Sequence, residues 1–429
     1  MRNKEIFKDK SVVVVGLARS GIACANLLYS LGAKVSVTES RDSEATREAA
    51  QELRSRGITV ELGKHSKEFF KSRDFIIVSP GVPANSQPII WAKEYAIPVL
   101  SEIEAAWLLC PATVIAVTGS GGKTTVTTLI GKAIQASGKK VFVCGNIGNP
   151  FSGEVEKIAP EDFVSLEVSS FQLENIAQFK PHIAVVLNFN RNHLDRHKDM
   201  QEYLDAKKRI FANQDAGDYL VLNDKDRVLK GLAEEARSKV VFFGSRPSEY
   251  NPNQQAVMAV ASILGIDKEV CVKVFSEFKG LEHRMEFVAE VNGVRFINDS
   301  KATLAESTVW AINNISSPVI LIAGGKDKGV DYSLISKPGA GKIKEIITIG
   351  EAADLINDAL GKSFKIERAK TLEEAINLAF DKARPGDSVL LSPMCSSFDM
   401  FANFEERGRV FKQAVMALAL NSQPLPRNP

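Results

Sequence analysis

A chain of 429 residues is too long for a single hydrophobic core, so two or three domains are expected. Its 45% hydrophobic and 25% charged residues are a globular composition, which excludes disorder as the default, and a net charge of +2 without a long basic or acidic block gives no case for nucleic acid. Five scattered cysteines, Cys24, Cys110, Cys144, Cys271 and Cys395, form no CxxC pair; reduced thiols in a reducing compartment fit them better than a disulfide framework or a zinc site.

The N-terminal segment MRNKEIFKDK lacks the apolar core of a signal peptide, and no later run is long enough to span a bilayer, so a cytoplasmic protein is expected. Residues 11–15 read as an apolar strand, followed by the turn Gly16-Leu17-Ala18-Arg19-Ser20-Gly21 and a helix through Leu31. The next strand, 35–38, runs into Glu39, Ser40 and Arg41. This is a dinucleotide-type fingerprint with Ala18 in place of the middle glycine, compatible equally with a plain βα turn and with a ligand site. Residues 75–78 form a buried strand entering Ser79-Pro80-Gly81-Val82-Pro83, a loop at the carboxyl end of a parallel strand, where such sheets bind ligands. Cys110-Pro111 breaks the chain, which places a first domain over 1–109.

The stretch 114–134, VIAVTGSGGKTTVTTLIGKAI, starts as a buried strand, breaks at Gly119-Ser120-Gly121-Gly122 and continues as a helix with Val126, Leu129, Ile130, Ala133 and Ile134 on one face. Strand, glycine turn and helix in that order aim backbone N–H groups at a phosphate. Lys123 can add a charge beside the β and γ phosphates and the Thr124 hydroxyl can ligate Mg2+. Further strands follow: 141–144 before Gly145-Asn146, 163–166 ending at Glu167, and 183–189 before Asn192 and His193. Glu167 and His193 thus sit on the sheet edge where a nucleotide-bound metal would lie. On the helix expected over 200–213, Lys207 falls among Tyr203, Ile210 and Phe211, the apolar stripe, whereas Lys208 points away. A lysine there either snorkels its ammonium to water or stays desolvated and neutral, able to form with CO2 a carbamate, an oxygen ligand suited to Mg2+. This central domain is placed over 110–280.

A third block, 281–429, repeats the alternation. Strand 295–298 leads into Asp299-Ser300-Lys301-Ala302-Thr303, strand 318–323 into Gly324-Gly325-Lys326-Asp327-Lys328-Gly329, and strand 388–391 into the loop 392–399 and a terminal helix. Thr371 and Glu374 read as a capping box, and the tail 423–429 as frayed. The fold class is therefore α/β in three parallel-sheet domains: an N-terminal Rossmann-like domain, a central P-loop mononucleotide-binding sheet and a C-terminal Rossmann-like domain.

In this order, TGSGGKTT, LEVSSFQLE, NFNRNHLDRH, AKKRIF, HRMEFV, NDSKAT, GGKDKG and SPMCSSFDMFANFEERG resemble the Mur ligases of peptidoglycan synthesis over nearly the whole chain. The loops GLARSG and SPGVP and the closing SSFDMFANFEERG narrow the resemblance to the branch that adds D-glutamate. It implies an ATP-dependent ligation: the γ-phosphoryl group moves to the alanine carboxylate of UDP-N-acetylmuramoyl-L-alanine, and the D-glutamate amine displaces phosphate through a tetrahedral intermediate. It further implies that Gly119, Ser120, Gly121, Gly122, Lys123, Thr124 and Thr125 hold ATP, with Asn253, Arg284, Asp299 and Lys301. Thr124, Glu167, His193 and a carbamylated Lys207 would serve two Mg2+ ions, and Lys123, Glu167, His193 and Lys207 would carry the catalysis. Arg19, Ser20, Ser40, Arg41, Ser79, Pro80 and Gly81 match the uridine-diphosphate pocket; Asn146, Ser169 and Gln172 match contacts to the sugar and its alanine. Thr303, Lys328, Ser397, Phe398 and Phe404 match the D-glutamate pocket, where Lys328 would pair with a carboxylate. The implied partners are these small molecules alone, with the chain acting as a monomer and no nucleic acid or membrane span.

The chain departs from the family pattern at five places. Asn192 stands where an aspartate usually precedes the histidine, Leu304 replaces the asparagine ending DSKATN, Gly121 replaces the common asparagine, and Glu249-Tyr250 replaces a His-Asn pair. The interval from Phe243 to Asn253 is also short, as though a strand pair were missing. These departures leave open a catalytically impaired UDP-sugar-binding or regulatory homologue; a rival within the superfamily is another amino-acid ligase, of the folate type, against which the UDP-pocket loops argue. A nicotinamide-dependent dehydrogenase fails on Ala18 and leaves the Gly-Lys-Thr loop unexplained.

Overall fold

A computed structural model of the chain describes residues 1–190, 196–245 and 247–421. The first sheet holds β1 (Ser11–Val15), β2 (Lys34–Glu39), β3 (Thr59–Leu62), β4 (Phe75–Val78) and β5 (Val99–Ser101), all parallel, in the order β3-β2-β1-β4-β5. The second holds β6 (Thr113–Thr118), β7 (Val141–Gly145), β8 (Phe163–Glu167), β9 (Ile183–Val186), β10 (Tyr219–Asn223) and β11 (Lys239–Phe243), again all parallel, in the order β11-β10-β9-β6-β8-β7. Parallel strands covered on both faces need apolar residues at every position, and Val12 to Val15 in β1 and Val114 to Val117 in β6 are buried without alternation.

The third sheet corrects the expectation of parallel strands throughout. It holds β12 (Glu286–Val291), β13 (Val294–Asn298), β14 (Val319–Gly324), β15 (Ile343–Ile349), β16 (Ile366–Arg368) and β17 (Ser388–Leu391), in the order β12-β13-β17-β14-β15-β16, and β12 runs antiparallel to β13. The two-residue turn Asn292-Gly293 closes that hairpin, both residues at positive φ, 50° and 78°. An Asn-Gly pair between alternating apolar residues is a strong hairpin signal, and here it outweighs the βα alternation on either side.

The chain divides into two compact units, Met1–Phe278 and Lys279–Pro429. The first contains two sheets because side chains on the helix Glu102–Leu109 reach across. Glu104, fully buried, accepts the backbone amides of Ala177, Gln178 and Phe179 at 2.8–2.9 Å, and Glu102 accepts that of Ser152 at 2.6 Å. The core is correspondingly continuous from Leu28 and Leu53 of the first sheet's layer to Phe151 and Leu166 of the second's.

Smaller differences have local causes. The helix expected over 200–213 is α-helical over Met200–Lys208 and tightens to a 3-10 turn at Arg209–Phe211, where Arg209 Nε donates to the Leu173 carbonyl at 2.7 Å. Thr371 caps its helix through the Glu374 amide at 3.1 Å, but the Glu374 carboxylate takes the amide of Lys370 and not that of Thr371. After β11 the chain passes directly to the helix Pro252–Ile263, capped reciprocally by Asn251 and Gln254, so the described residues contain no strand pair there.

Candidate active site

The apolar strand β6 ends at Thr118 and the helix Lys123–Ala136 begins after four small residues, so backbone amides gather at a helix N-terminus. Gly122 makes the entry at φ 79°, a left-handed conformation that glycine adopts at little cost. The segment after β9 braces the turn. Asn188 accepts the Gly121 amide at 2.8 Å and donates its Nδ2 to the Gly121 carbonyl at 3.1 Å. The Ser120 hydroxyl donates to the Asn190 carbonyl at 3.0 Å and lies 3.2 Å from the Tyr203 hydroxyl. Asn253, near the start of the helix Pro252–Ile263, leans on the same turn: a Cβ on Gly122 would come within 2.6 Å of its Oδ1.

Two lysines end on one oxygen. Lys123 donates to the Gly119 carbonyl at 3.0 Å and Lys207 to the same carbonyl at 3.1 Å. Lys207 is only 1% exposed, which excludes snorkelling; burial, then the Lys123 charge beside it, hold its amine well below the usual lysine range. Its Nζ lies 4.4 Å from the centroid of the Tyr203 ring.

Glu167 ends β8 beside β6, in register with Val117. It is buried; Oε1 accepts Asn146 Nδ2 at 2.8 Å, and Oε2 has no hydrogen-bond partner among the described residues, nor has Oγ1 of Thr118. A buried carboxylate oxygen left without a donor is costly unless a cation faces it. Such an oxygen suits Mg2+. Thr124 is buried in the first turn of the phosphate-loop helix and Thr125 half-buried after it. His193 and Asn192 lie outside the described residues.

In the first sheet the chain order reverses between β1 and β4, and the crevice outside their carboxyl ends is where such sheets take ligands. Arg19 and Ser20 open the helix Arg19–Ser30 there, and the Ser79 hydroxyl points at the Gly16 carbonyl, 3.5 Å away. Pro80 and Gly81 follow, and around Gly81 a side chain would meet only open space. The Glu39 carboxylate accepts the amides of Leu17 and Arg41, each at 2.9 Å, and the Ser40 hydroxyl at 3.2 Å. Burial alone would raise this carboxyl, but those donors outweigh it and hold it below its usual range. The acid that would bind a dinucleotide ribose is thus spent on the protein's own amides, a second argument against the dehydrogenase reading. From the second sheet, Arg196 donates to the Val82 carbonyl at 2.6 Å, and Ser169 and Gln172 form a reciprocal cap on the short helix Ser170–Leu173.

In the second unit the neighbouring strands β13, β17 and β14 all end in polar loops. Asp299, after β13, is buried, accepts the Ser392 hydroxyl at 2.9 Å and the Met285 amide at 3.2 Å, and burial pushes its carboxyl up to about 7. Arg284 sits in a tight turn, its amide donating to Leu281, and the Lys301 amide donates to His283 beside it. Lys301 Nζ is 5.5 Å from the Phe404 ring, and the Thr303 amide donates to the Lys301 carbonyl. After β14, Lys326 exchanges two backbone hydrogen bonds with Ser396, at 2.9 and 3.1 Å, which joins the loop carrying Lys328 to the loop carrying Ser397 and Phe398. Ser397 is buried and Phe398 is 68% exposed.

Three family models match the chain: the Mur ligase MurD-like, N-terminal domain over residues 10–101, the Mur ligase middle domain over 117–292, and the Mur ligase, glutamate ligase domain over 283–395. The UDP-N-acetylmuramoylalanine--D-glutamate ligase of Thermoanaerobacter sp. (strain X514) is 41% identical over an alignment of 449 residues that covers 96% of this chain and 99% of the relative. The chain belongs to the Mur ligase family. The enzyme of the same description from Chloroherpeton thalassium is 39% identical, with 97% and 100% covered. Among solved structures, UDP-N-acetylmuramate-alanine ligase MurC from Thermotoga maritima covers 95% of this chain with all of its own at a TM-score of 0.60 and 17% identity; MurF from Acinetobacter baumannii gives 0.58 at 15% identity, with 96% and 93% covered. At those identities the likeness concerns the fold. The alignment of 449 residues exceeds the 429 of this chain, so the relative carries residues that this Mur ligase lacks.

Sequence reasoning about this Mur ligase missed Asn188, which grips Gly121 by both amide and carbonyl, Tyr203 under Lys207, and Arg407. The Arg407 guanidinium is 1% exposed, donates to the carbonyls of Ser300, Cys395 and Ser396, and is pushed down to about 10 by burial. Asn188 carried a signal, an amide side chain directly after a buried strand beside the phosphate loop. Arg407 carried none, since on the helix Phe404–Asn421 it reads as one of several charged residues.

Proposed function

We infer that the chain is an ATP-dependent ligase that joins the alanine carboxylate of UDP-N-acetylmuramoyl-L-alanine to the amine of D-glutamate, releasing ADP and phosphate, in peptidoglycan precursor synthesis. The observation that carries the reading is the convergence of Lys123 and the buried Lys207 on Gly119, one strand from a buried carboxylate oxygen that lacks a partner. Full-length identity to D-glutamate ligases supports the choice of acceptor. The chain works as a cytoplasmic monomer, and among the described residues no helix is long and apolar enough to cross a membrane.

Residues 1–109 take the UDP-sugar, with Arg19, Ser20, Ser40, Arg41, Ser79, Pro80 and Gly81 around the diphosphate and uridine. Residues 110–280 take ATP. The glycine turn from Gly119 to Gly122 holds its phosphates, with Lys123 as a point charge and Thr125 and Asn253 alongside. Residues 281–429 contribute Arg284, Asp299 and Lys301 to ATP and Thr303, Lys328, Ser397, Phe398 and Phe404 to D-glutamate. Asn146, Ser169 and Gln172 face the sugar and its alanine.

Phosphoryl transfer asks for positioning and charge stabilisation more than for covalent chemistry. The alanine carboxylate oxygen attacks the γ-phosphorus and ADP leaves; the D-glutamate amine then adds to the acyl carbon, and phosphate departs as the amide forms. Lys123 opposes the charge that develops on the transferring group. Thr124, Glu167, His193 and Lys207 would hold two Mg2+ ions, whose positive charge offsets the repulsion between phosphate and carboxylate. The residues fit that role: Glu167 has an oxygen to spare, and burial lowers the proton affinity of the Lys207 amine, which favours the neutral form that adds CO2 to become a carbamate. Asn146, on the other Glu167 oxygen, fixes which oxygen is left for the ion.

Phosphate release measured with ATP, Mg2+, UDP-N-acetylmuramoyl-L-alanine and each of a set of amino acids tests the reading. Turnover is expected with D-glutamate alone. Absence of release with every acceptor would favour the impaired homologue, and release with a different acceptor would move the chain to another branch.

A further inference from the structure

Tyr332 opens a 3-10 turn, Tyr332–Ile335, and its ring is buried with Ile335, Met394 and Cys395. Its hydroxyl reaches out of that apolar cluster to two polar partners, Oδ1 of Asp327 at 2.5 Å and Sγ of Cys395 at 3.2 Å. An ionised carboxylate only accepts and a phenol has one proton to give. The phenol therefore donates to Asp327, and the Cys395 thiol donates to the phenol oxygen. The proton affinities agree: the Tyr332 bond holds Asp327 below its usual range, while burial raises the phenol and pushes the thiol up to about 11.

Each partner belongs to a different loop. The second Asp327 oxygen accepts the Gly329 amide at 3.0 Å, so the carboxylate shapes the turn in which Lys328 is exposed. Cys395 lies in the loop that continues to Ser397 and Phe398, and its carbonyl is held by Arg407 at 3.1 Å. The Lys328 turn has two flanking glycines and few apolar residues to anchor it. One hydroxyl thus connects the two loops that the proposed function gives to D-glutamate.

We propose that Tyr332 is a positioning residue for the amino-acid acceptor: its hydroxyl fixes the Asp327 carboxylate, which sets the turn presenting Lys328 to the acceptor's carboxylate in step with the Ser397 loop. This rests on the reading of Lys328 as an acceptor ligand. A phenylalanine at this position keeps the ring in its cluster and removes only the hydroxyl's two bonds, leaving the Lys326–Ser396 backbone pair that also joins the loops in place.

The test is steady-state kinetics of Tyr332→Phe, Asp327→Ala, the double variant and Lys328→Ala, with melting temperatures. Tyr332→Phe is expected to raise KM for D-glutamate by roughly tenfold, the size of one hydrogen bond to a charged group, with KM for ATP and for the UDP-sugar within twofold and melting nearly unchanged. Asp327→Ala should do at least as much, and the double variant no more than Asp327→Ala alone, because the hydroxyl acts through that carboxylate. An unchanged D-glutamate KM in Tyr332→Phe, additive effects in the double variant, or a common rise in all three KM values with a lower melting temperature would each overturn the proposal. Lys328→Ala separates the two levels. If it leaves the D-glutamate KM alone, the acceptor-pocket reading falls; if it raises it while Tyr332→Phe does not, only the role of Tyr332 falls.

Discussion

The phosphate loop and the Lys328 loop open alike, each a glycine-rich run with a lysine directly after a buried parallel strand, yet they work differently. Gly119 to Gly122 lead straight into the fourteen-residue helix Lys123–Ala136, so what this loop can offer an anion is backbone and a helix end. Gly324 and Gly325 lead instead into a turn and a short 3-10 segment. With no helix end to offer, that loop has to be shaped by side chains: Asp327, Tyr332, Cys395 and, behind them, Arg407. Backbone recognition reads a phosphate without asking what carries it. Side-chain recognition can tell one amino acid from another.

The largest expected effect is at the first loop. Lys207→Ala should lower turnover by about a thousandfold or more, the scale for losing a group that stabilises charge in the transition state, with partial recovery when a short-chain carboxylic acid is supplied. Phosphate release with and without the acid measures both; unchanged activity in the variant would end the carbamate role. Next come the glycines. At Gly325, φ is 133° and a Cβ would run into the Ser396 carbonyl, so Gly325→Ala should cost about 3 kcal/mol in denaturant unfolding. At Gly122 the Cβ would meet the movable end of Asn253, and about 1 kcal/mol is expected, with the loss felt in KM for ATP instead. Equal costs at the two sites would erase the contrast between the loops.

Asp299 gives a pH-dependent test. Its carboxyl titrates near 7 in the folded chain and near 4 in an unfolded one, so between those values the folded state holds the extra proton and stability falls as pH rises. Chemical denaturation at pH 4.5 and 7.5 should show wild type losing about 3 kcal/mol relative to Asp299→Asn; parallel curves would contradict the burial effect. Smallest is Thr371→Ala, which removes a helix cap that takes part in neither loop: about 1 kcal/mol of stability and no change in any KM.

Much of this was legible before any coordinates. The four valines of β1, the strand-turn-helix at Lys123 and the apolar-face position of Lys207 follow from local periodicity, and the structure places each where the pattern said. What periodicity could not supply is a partner. Lys207 and Gly119 are 88 residues apart, and Tyr332 and Cys395 are 63 apart; no local rule brings either pair together. The antiparallel β12 was a different kind of miss, because its Asn-Gly turn was in plain view and was outweighed by the βα alternation around it. The His193 assignment lies outside the described residues.

Glu104 has a practical consequence. A fragment ending at residue 109 would keep this carboxylate and lose all three amides that satisfy it, baring a face of the helix Glu102–Leu109 that the whole chain covers. The first two sheets are therefore separate in pattern but not in autonomy. A protease given limited time should cut at the exposed Lys279-Gly280 junction and release residues 1–279 as one piece, its two sheets still held together through Glu104.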